Sequence, residues 1–248
     1  MNKKFYQEYY TLEREGWWFK ARLFILESLF KKLKFDSNIS ILNVGAATGA
    51  TSEMLAKYGE VTSLEYDKYC CGFLKEKTGI EAINASLTDL PFTDNSFDLV
   101  CAFDVIEHIE NHEKAVDEIF RVLKPKAKYF ITVPAFQTLW SNHDVVNHHY
   151  RRYKKNNLNK LITKSRLKIE YTLYFNFLLF IPILITRFIL NIIPIKRDKN
   201  SSGSDNEIMK SSRITNTILF SIFYSEKYLL NLNVKFPFGV SIMSIGHK

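Results

Sequence analysis

The stretch Trp140-Ser141-Asn142-His143-Asp144, followed by Asn147-His148-His149-Tyr150-Arg151-Arg152-Tyr153, crowds imidazoles, a carboxylate, guanidinium groups and aromatic rings into one short part of the chain. An imidazole with an ordinary pKa of about 6.5 can take a proton from a hydroxyl near neutral pH, which makes His143 and His149 candidate general bases. Asp144 would serve as orienting partner or secondary base. Arg151 and Arg152 have the planar fork that grips a phosphate or carboxylate through two hydrogen bonds. Trp140 and Tyr153 offer flat faces for a sugar or a prenyl chain, and His148 completes the acceptor-side set. Each residue also has an ordinary reading: His143 or His148 as a satisfied loop histidine, Arg152 paired with a carboxylate of its own domain, Trp140 in the core. His143, Asp144, His148 and His149 together suggest divalent-ion ligands, but adjacent histidines diverge and the spacing matches no standard site, so no metal is expected.

Chemistry of this kind needs a partner site and a scaffold. Ile41-Leu42-Asn43-Val44-Gly45-Ala46-Ala47-Thr48-Gly49 reads as a buried strand running into a glycine turn that opens a helix over residues 50–58. Gly45 and Gly49 let backbone approach a ligand closely, and the helix start offers unpaired N–H groups. A second short apolar run, Val61-Thr62-Ser63-Leu64-Glu65, ends in a carboxylate about 20 residues on, the offset at which an acid holds ribose hydroxyls. A fifth strand is expected over residues 129–133. In an open α/β sheet, loops at the carboxyl ends of strands face the ligand crevice, so the His/Arg segment that follows should project into it.

Four further blocks follow in order: Ser86-Leu87-Thr88-Asp89-Leu90-Pro91-Phe92, Asn95-Ser96-Phe97-Asp98-Leu99-Val100, Asp104-Val105-Ile106-Glu107-His108-Ile109 and Arg121-Val122-Leu123-Lys124-Pro125. Over residues 40–134 the chain closely resembles the class I S-adenosylmethionine-dependent methyltransferases. The His/Arg segment, with Glu15-Gly16-Trp17-Trp18-Phe19 and Arg22, resembles a bacterial and archaeal subgroup associated with glycan or lipid-carrier assembly. The resemblance implies S-adenosylmethionine as cofactor. It places Gly45 and Gly49, with Asn43 and Ala47, at the methionine end, Glu65 on the ribose, Ser86 and Leu87 beside adenine, and Phe103 near the cofactor's amino group. Arg22 is the candidate for the cofactor carboxylate, Trp18 for excluding water, and His108 for touching cofactor or substrate. Asn43 stands where an acid is usual, Ala47 where a second glycine is usual, Ser86 where an aspartate is usual, and Lys126-Ala127 replaces a glycine pair. Asn43 and Ser86 can hydrogen-bond without the charge-assisted part, and Ala47 disfavours positive φ.

Glu107 and His108 are expected to open a helix over residues 105–123, with Asp104 as N-cap and Glu107 three residues later in a capping box. An amphipathic helix is expected over residues 21–33. From residue 171 to 195 and from 214 to 232 the chain is rich in Leu, Ile, Phe and Tyr, yet Asn176, Pro182, Arg187, Asn191 and Pro194 interrupt the first run. An arginine at the centre of a span costs about 2.5–3.5 kcal/mol on insertion scales, so a core or interfacial helix is expected rather than a membrane crossing. Lys196, Arg197 and Lys199 and the polar residues 200–206 read as the loop of a helical hairpin. Residues 1–146 carry 17 Lys+Arg and 21 Asp+Glu, a net charge of −4, whereas residues 147–248 carry 17 and 5, a net charge of +12. Basic residues flanking aromatic and aliphatic helices suit a peripheral position on an anionic membrane, and the same hairpin can roof the site. Cys70, Cys71 and Cys101 include an adjacent pair too close for ordinary bridging and show no zinc-like spacing. With a charged, tyrosine-rich start lacking a signal-peptide core, they favour a cytoplasmic chain, peripheral at the inner face of the membrane.

The expected fold class is α/β: a Rossmann-like seven-stranded mainly parallel sheet with helices on both faces, an N-terminal helical arm and a C-terminal helical hairpin insertion. A single domain would comprise an arm or lid (residues 1–36), a cofactor-binding core (37–134), an acceptor-site loop, helix and strand (135–175), the apolar basic hairpin (176–233), and a final antiparallel strand (234–248) that closes the sheet. The expected reaction is methyl transfer to an oxygen of a lipid-linked sugar, polyprenyl or other amphiphilic small molecule. The alternatives are a non-catalytic S-adenosylmethionine-binding protein at a membrane surface, and a nucleic-acid methyltransferase, the latter disfavoured.

Overall fold

The computed structural model describes residues 3–35, 38–192 and 212–248. Among them seven strands form one sheet: β1 (Ile39–Val44), β2 (Gly59–Glu65), β3 (Ala82–Asn84), β4 (Phe97–Phe103), β5 (Leu123–Pro134), β6 (Lys168–Phe175) and β7 (Ser241–His247). Their order is β3-β2-β1-β4-β5-β7-β6. β3, β2, β1, β4 and β5 run parallel, and β7 is antiparallel to both its neighbours. The helices are α1 (Lys3–Glu15), α2 (Trp17–Phe30), α3 (Ala50–Leu55), α4 (Lys68–Thr78), α5 (His112–Val122), α6 (Asn142–Val146), α7 (Lys155–Lys164), α8 (Phe180–Ile192) and α9 (Arg213–Asn231). This is the expected Rossmann-like architecture.

The central strands read as continuous apolar runs because both of their faces are covered. Ile41, Leu42, Leu99, Val100, Phe130 and Ile131 are all buried, as are Ile242 and Met243 on β7. That last strand is buried along nearly its whole length, which explains a departure from expectation. It does not close the sheet; it inserts between β5 and β6 and leaves β6 at the edge.

α2 joins the N-terminal arm to the hairpin. Phe24 meets Phe220 and Tyr224 edge-on, at centroid distances of 6.3 and 5.4 Å, and Trp18 lies 6.4 Å from Phe223. The Lys32 ammonium donates to the carbonyls of Leu230 and Asn231 at 3.0 and 2.9 Å, placing a cation on the negative end of α9. Arg187, which interrupts the apolar pattern of α8, is buried and donates to the Leu139 carbonyl, so α8 is tied to the segment expected to carry the acceptor site. No helix of the described residues is long and apolar enough to cross a membrane. Lys196, Arg197, Lys199 and the 200–206 stretch lie outside the described residues.

The helix expected over residues 105–123 is divided. A short 3-10 turn covers Ile106–His108, and α5 begins only at His112, capped by the Asn111 side chain on the Lys114 amide at 3.0 Å. Asp104 does not cap because it sits in the left-handed region (φ 56°) with its carboxylate on Arg22.

Candidate active site

The turn between β1 and α3 passes through three left-handed residues, Gly45 (φ 69°), Ala47 (φ 46°) and Gly49 (φ 101°). A Cβ on Gly45 would fall 2.6 Å from the Val105 side chain and one on Gly49 2.6 Å from Leu74, so neither position admits a larger residue without movement. Ala47 does adopt positive φ, at a cost on the order of 1 kcal/mol. The bend is held there by a nonlocal bond: the Ala47 amide donates to Glu65 Oε2 at 3.0 Å, while Oε1 accepts from the Asp67 amide at 3.0 Å. Glu65 thus braces the bend from the end of β2 and keeps lone pairs for a ligand.

Asn43 is fully buried and turned toward α3, its Nδ2 donating to Thr51 and Ser52 hydroxyls at 2.9 and 2.8 Å, while its Oδ1 has no partner. It therefore supports the bend from behind. The Ser86 hydroxyl lies 2.8 Å from that of Thr88 and accepts from the Thr88 amide at 3.2 Å, and Leu87 is buried. α1 crosses the bend: Glu13 accepts from the Thr48 hydroxyl, and Arg14 donates to the Thr48 carbonyl at 3.2 Å. Burial, only partly offset by Thr48 and Arg14, raises the Glu13 pKa to about 7.

Arg22 is buried near Trp18 and Phe103, with centroids 5.5 and 5.9 Å from its guanidinium. Its Nη2 pairs with Asp104 Oδ2 at 2.7 Å and donates to Thr132 at 2.9 Å, leaving Nε without a partner. A cofactor carboxylate would therefore compete with Asp104 for this cation.

The His/Arg segment is reorganised by burial. Ser141 caps α6 in a capping box with Asp144, whose Oδ2 accepts from the Ser141 amide at 2.8 Å. The other oxygen of the fully buried Asp144 takes His149 Nδ1 and Arg152 Nε, both at 2.8 Å. Burial alone would raise the Asp144 pKa; the bonds from His149 and Arg152 outweigh it and hold the carboxyl well below the usual range. Asp144 orients His149 and is closed to the role of secondary base. Arg152 also donates to the Ala135 carbonyl at 3.2 Å and is buried, so it is structural here rather than a phosphate grip. Tyr153 is likewise internal, its hydroxyl 2.7 Å from His112 Nδ1, and offers no stacking face. Arg151 remains outside, donating to the Glu110 carbonyl at 2.8 Å. His148 is exposed with φ 57°, Trp140 is half-buried, and His143 lies beside Asn147.

The segment also folds down on the turn after β4, where the Tyr150 amide donates to the Glu107 carbonyl at 2.8 Å. This brings the His149 ring to 4.5 Å from His108 and 6.1 Å from His143, edge to face in both cases. His108 stands at the exposed rim, yet loss of water around its ring and then the neighbouring His149 push its pKa down to about 4. Glu107 is fully buried, neither carboxylate oxygen has a hydrogen-bond partner, and burial followed by Asp104 raises its pKa well above the carboxylate range. Glu107 was read from sequence as a cap. Its sequence signal was only its place beside His108.

The bend and the His108–His149 group follow the carboxyl ends of the adjacent parallel strands β1 and β4, and Val105 of the turn after β4 closes on Gly45. Glycine backbone with no room for side chains, a carboxylate ending β2, and a buried arginine with an unpartnered Nε fit an adenosine compound carrying a carboxylate tail.

The fold is the Rossmann-like one also seen in solved S-adenosylmethionine-dependent methyltransferases. Over 92% of its length the chain superposes on 94% of an S-adenosylmethionine-dependent methyltransferase from Archaeoglobus fulgidus, with a TM-score of 0.58 at 14% identity. Residues 42–131 match the family model described as a methyltransferase domain. A probable S-adenosylmethionine-dependent methyltransferase of Mycolicibacterium smegmatis is 25% identical over 65% of this chain and 63% of its own. A demethylmenaquinone methyltransferase of Renibacterium salmoninarum is 32% identical over 42% of this chain and 47% of its own. The chain thus spans less than two thirds of the length of either relative.

Proposed function

We propose that this chain is an S-adenosylmethionine-dependent methyltransferase acting on an oxygen of a lipid-linked sugar, polyprenyl or other amphiphilic small molecule. The observation that carries the reading is that a glycine bend braced by Glu65 and the His108–His149 group lie at the carboxyl ends of adjacent strands, with Val105 against Gly45 between them. S-adenosylmethionine, when bound, supplies a methyl group activated by its sulfonium. The chain's residues do the rest. Backbone from Gly45 to Gly49 would admit the nucleoside, Glu65 would take the ribose hydroxyls, and Ser86 with Leu87 would flank the adenine. Phe103 would sit beside the cofactor's amino group, Trp18 would exclude water, and Arg22, whose Nε has no partner, would meet the carboxylate. The transfer is an in-line displacement, so alignment matters most and the acceptor hydroxyl must lose its proton near His149, which Asp144 holds in place.

An amphiphilic acceptor suits the exposed surface of α8 and α9. Ile181, Ile185 and Phe188 on α8 and Ile214 and Ile218 on α9 are exposed. They belong to the half of the chain with a net charge of +12. Apolar side chains among cations are what an anionic membrane surface attracts. The relative named for demethylmenaquinone supports the same class of acceptor. A non-catalytic binding role is favoured by Ala47 at φ 46° and by the engagement of Arg22 with Asp104. Incubation with methyl-labelled cofactor and a total membrane lipid extract separates the two. Label appearing in lipid, and absent with a Glu65→Ala variant, is the expected result; tight cofactor binding without transfer to any extract would favour the binding role.

A further inference from the structure

Glu107, His108 and His149 each place one ligand atom so that all three lie within 4.8 Å of one another. We propose that this group is a divalent-cation site at the turn after β4, beside the glycine bend, holding an ion such as Mn²⁺ or Zn²⁺ through one carboxylate and two imidazoles.

Three observations support it independently of spacing. First, Glu107 is fully buried and neither carboxylate oxygen has a hydrogen-bond partner. A buried carboxylate without a partner is costly, by several kcal/mol in order of magnitude, and the nearby cations are engaged elsewhere: Arg22 with Asp104, Arg152 with Asp144. Second, one of the imidazoles is tied down on its far side in the way metal-ligating histidines are. His149 Nδ1 lies 2.8 Å from Asp144 Oδ1. Such a partner fixes ring orientation and tautomer, leaves the other nitrogen for an ion, and raises its donor strength. Asp144 is itself fixed by Arg152 and the Ser141 amide, so this support is rigid. Third, one carboxylate and two imidazoles make an incomplete coordination sphere for an ion at about 2.0–2.2 Å from each ligand, and His108 stands at the exposed rim. Structural sites are closed by four protein ligands; three with an open side belong to an ion that takes an exogenous oxygen.

The role of the ion rests on the methyltransferase reading. An acceptor hydroxyl coordinated there has a lowered pKa and releases its proton to solvent through the open rim. Its oxygen lone pair then forms the bond to the methyl carbon as the carbon–sulfur bond breaks and its electron pair returns to sulfur. The set differs from the one sequence spacing suggested: His149 is common to both, but Asp144 is enclosed behind it and His148 is exposed with no part in the group.

The test uses the full, untagged chain after chelation and dialysis, titrated with Mn²⁺ under electron paramagnetic resonance and with Zn²⁺ in a calorimeter, with neither cofactor nor acceptor present. The expected result is one ion per chain, with affinity falling at least tenfold in Glu107→Gln and, separately, in His108→Ala. The second variant lies at the rim and keeps the inquiry open if the first does not fold. Absence of a stoichiometric ion at millimolar metal, or binding unchanged in a folded variant of either kind, would overturn the proposal. Titrating the same metal-free protein with S-adenosylmethionine keeps the two readings apart: cofactor binding without ion binding defeats only the metal site, and ion binding without cofactor binding defeats only the methyltransferase reading.

Discussion

At the scale of single residues, the candidate site is governed by where buried charges find partners. Asp144 holds both His149 and Arg152, so Asp144→Asn leaves a buried guanidinium short of its counter-charge. The expected loss is about 3 kcal/mol of stability, by comparison with other buried pairs broken on one side, measured by urea unfolding. A change below about 1 kcal/mol would mean that Arg152 finds another acceptor. At the bend, Ala47→Gly relieves a left-handed alanine and is expected to leave stability equal or higher by up to about 1 kcal/mol, whereas Gly45→Ala meets Val105 at 2.6 Å and is expected to weaken cofactor binding at least tenfold in a calorimetric titration. The bend after β1 was the most legible from sequence because its glycines and Glu65 act through backbone geometry that spacing reports. The acceptor half was less so. Arg152 and Tyr153 look like ligand groups in the sequence and are internal in the fold, because strand β5 and the 106–108 turn close over them. Glu107 was missed for a related reason: Asp104 takes positive φ to meet Arg22 and Thr132, both distant in sequence, and this turns the next residues inward instead of into a helix.

Among the elements, α1 has an attachment that depends on pH. The Glu13 carboxyl is buried against Thr48 at the bend, and its pKa rises from 4.5 to about 7 on folding. A group that binds its proton more tightly when folded contributes stability that is complete below its unfolded pKa and is lost as pH rises through the folded value. Stability is therefore expected to fall between about pH 4.5 and 7, by ~3 kcal/mol at most. Glu13→Gln should remove that loss and be the more stable form at pH 8, as read from thermal melts across the range; parallel pH curves for the two proteins would contradict it. Periodicity anticipated α2, α8 and α9 as separate helices but could not show that α2 lies along α9, since that depends on Lys32 reaching the end of α9 and on rings more than a hundred residues apart. The same limit explains β7, expected as a final strand at 234–248, since the sequence does not tell which neighbours it enters between.

For the whole molecule, the basic half of the sequence is also the half that carries the exposed apolar side chains of α8 and α9. Cosedimentation with vesicles should accordingly require anionic lipid, decline as salt shortens the electrostatic range, and weaken severalfold in a combined Ile185→Ser, Phe188→Ser variant. Equal binding to neutral vesicles, or no effect of the double change, would place lipid attachment elsewhere or remove it. The central claim is narrower than any of these: the bend after β1 holds S-adenosylmethionine with its methyl group toward His149. A crystal soaked in that compound should show adenosine along Gly45–Gly49, ribose oxygens on Glu65 and the sulfonium methyl turned to the His108–His149 group; an empty bend in a fully soaked crystal, or preferential occupancy by a nicotinamide or flavin nucleotide, would contradict it.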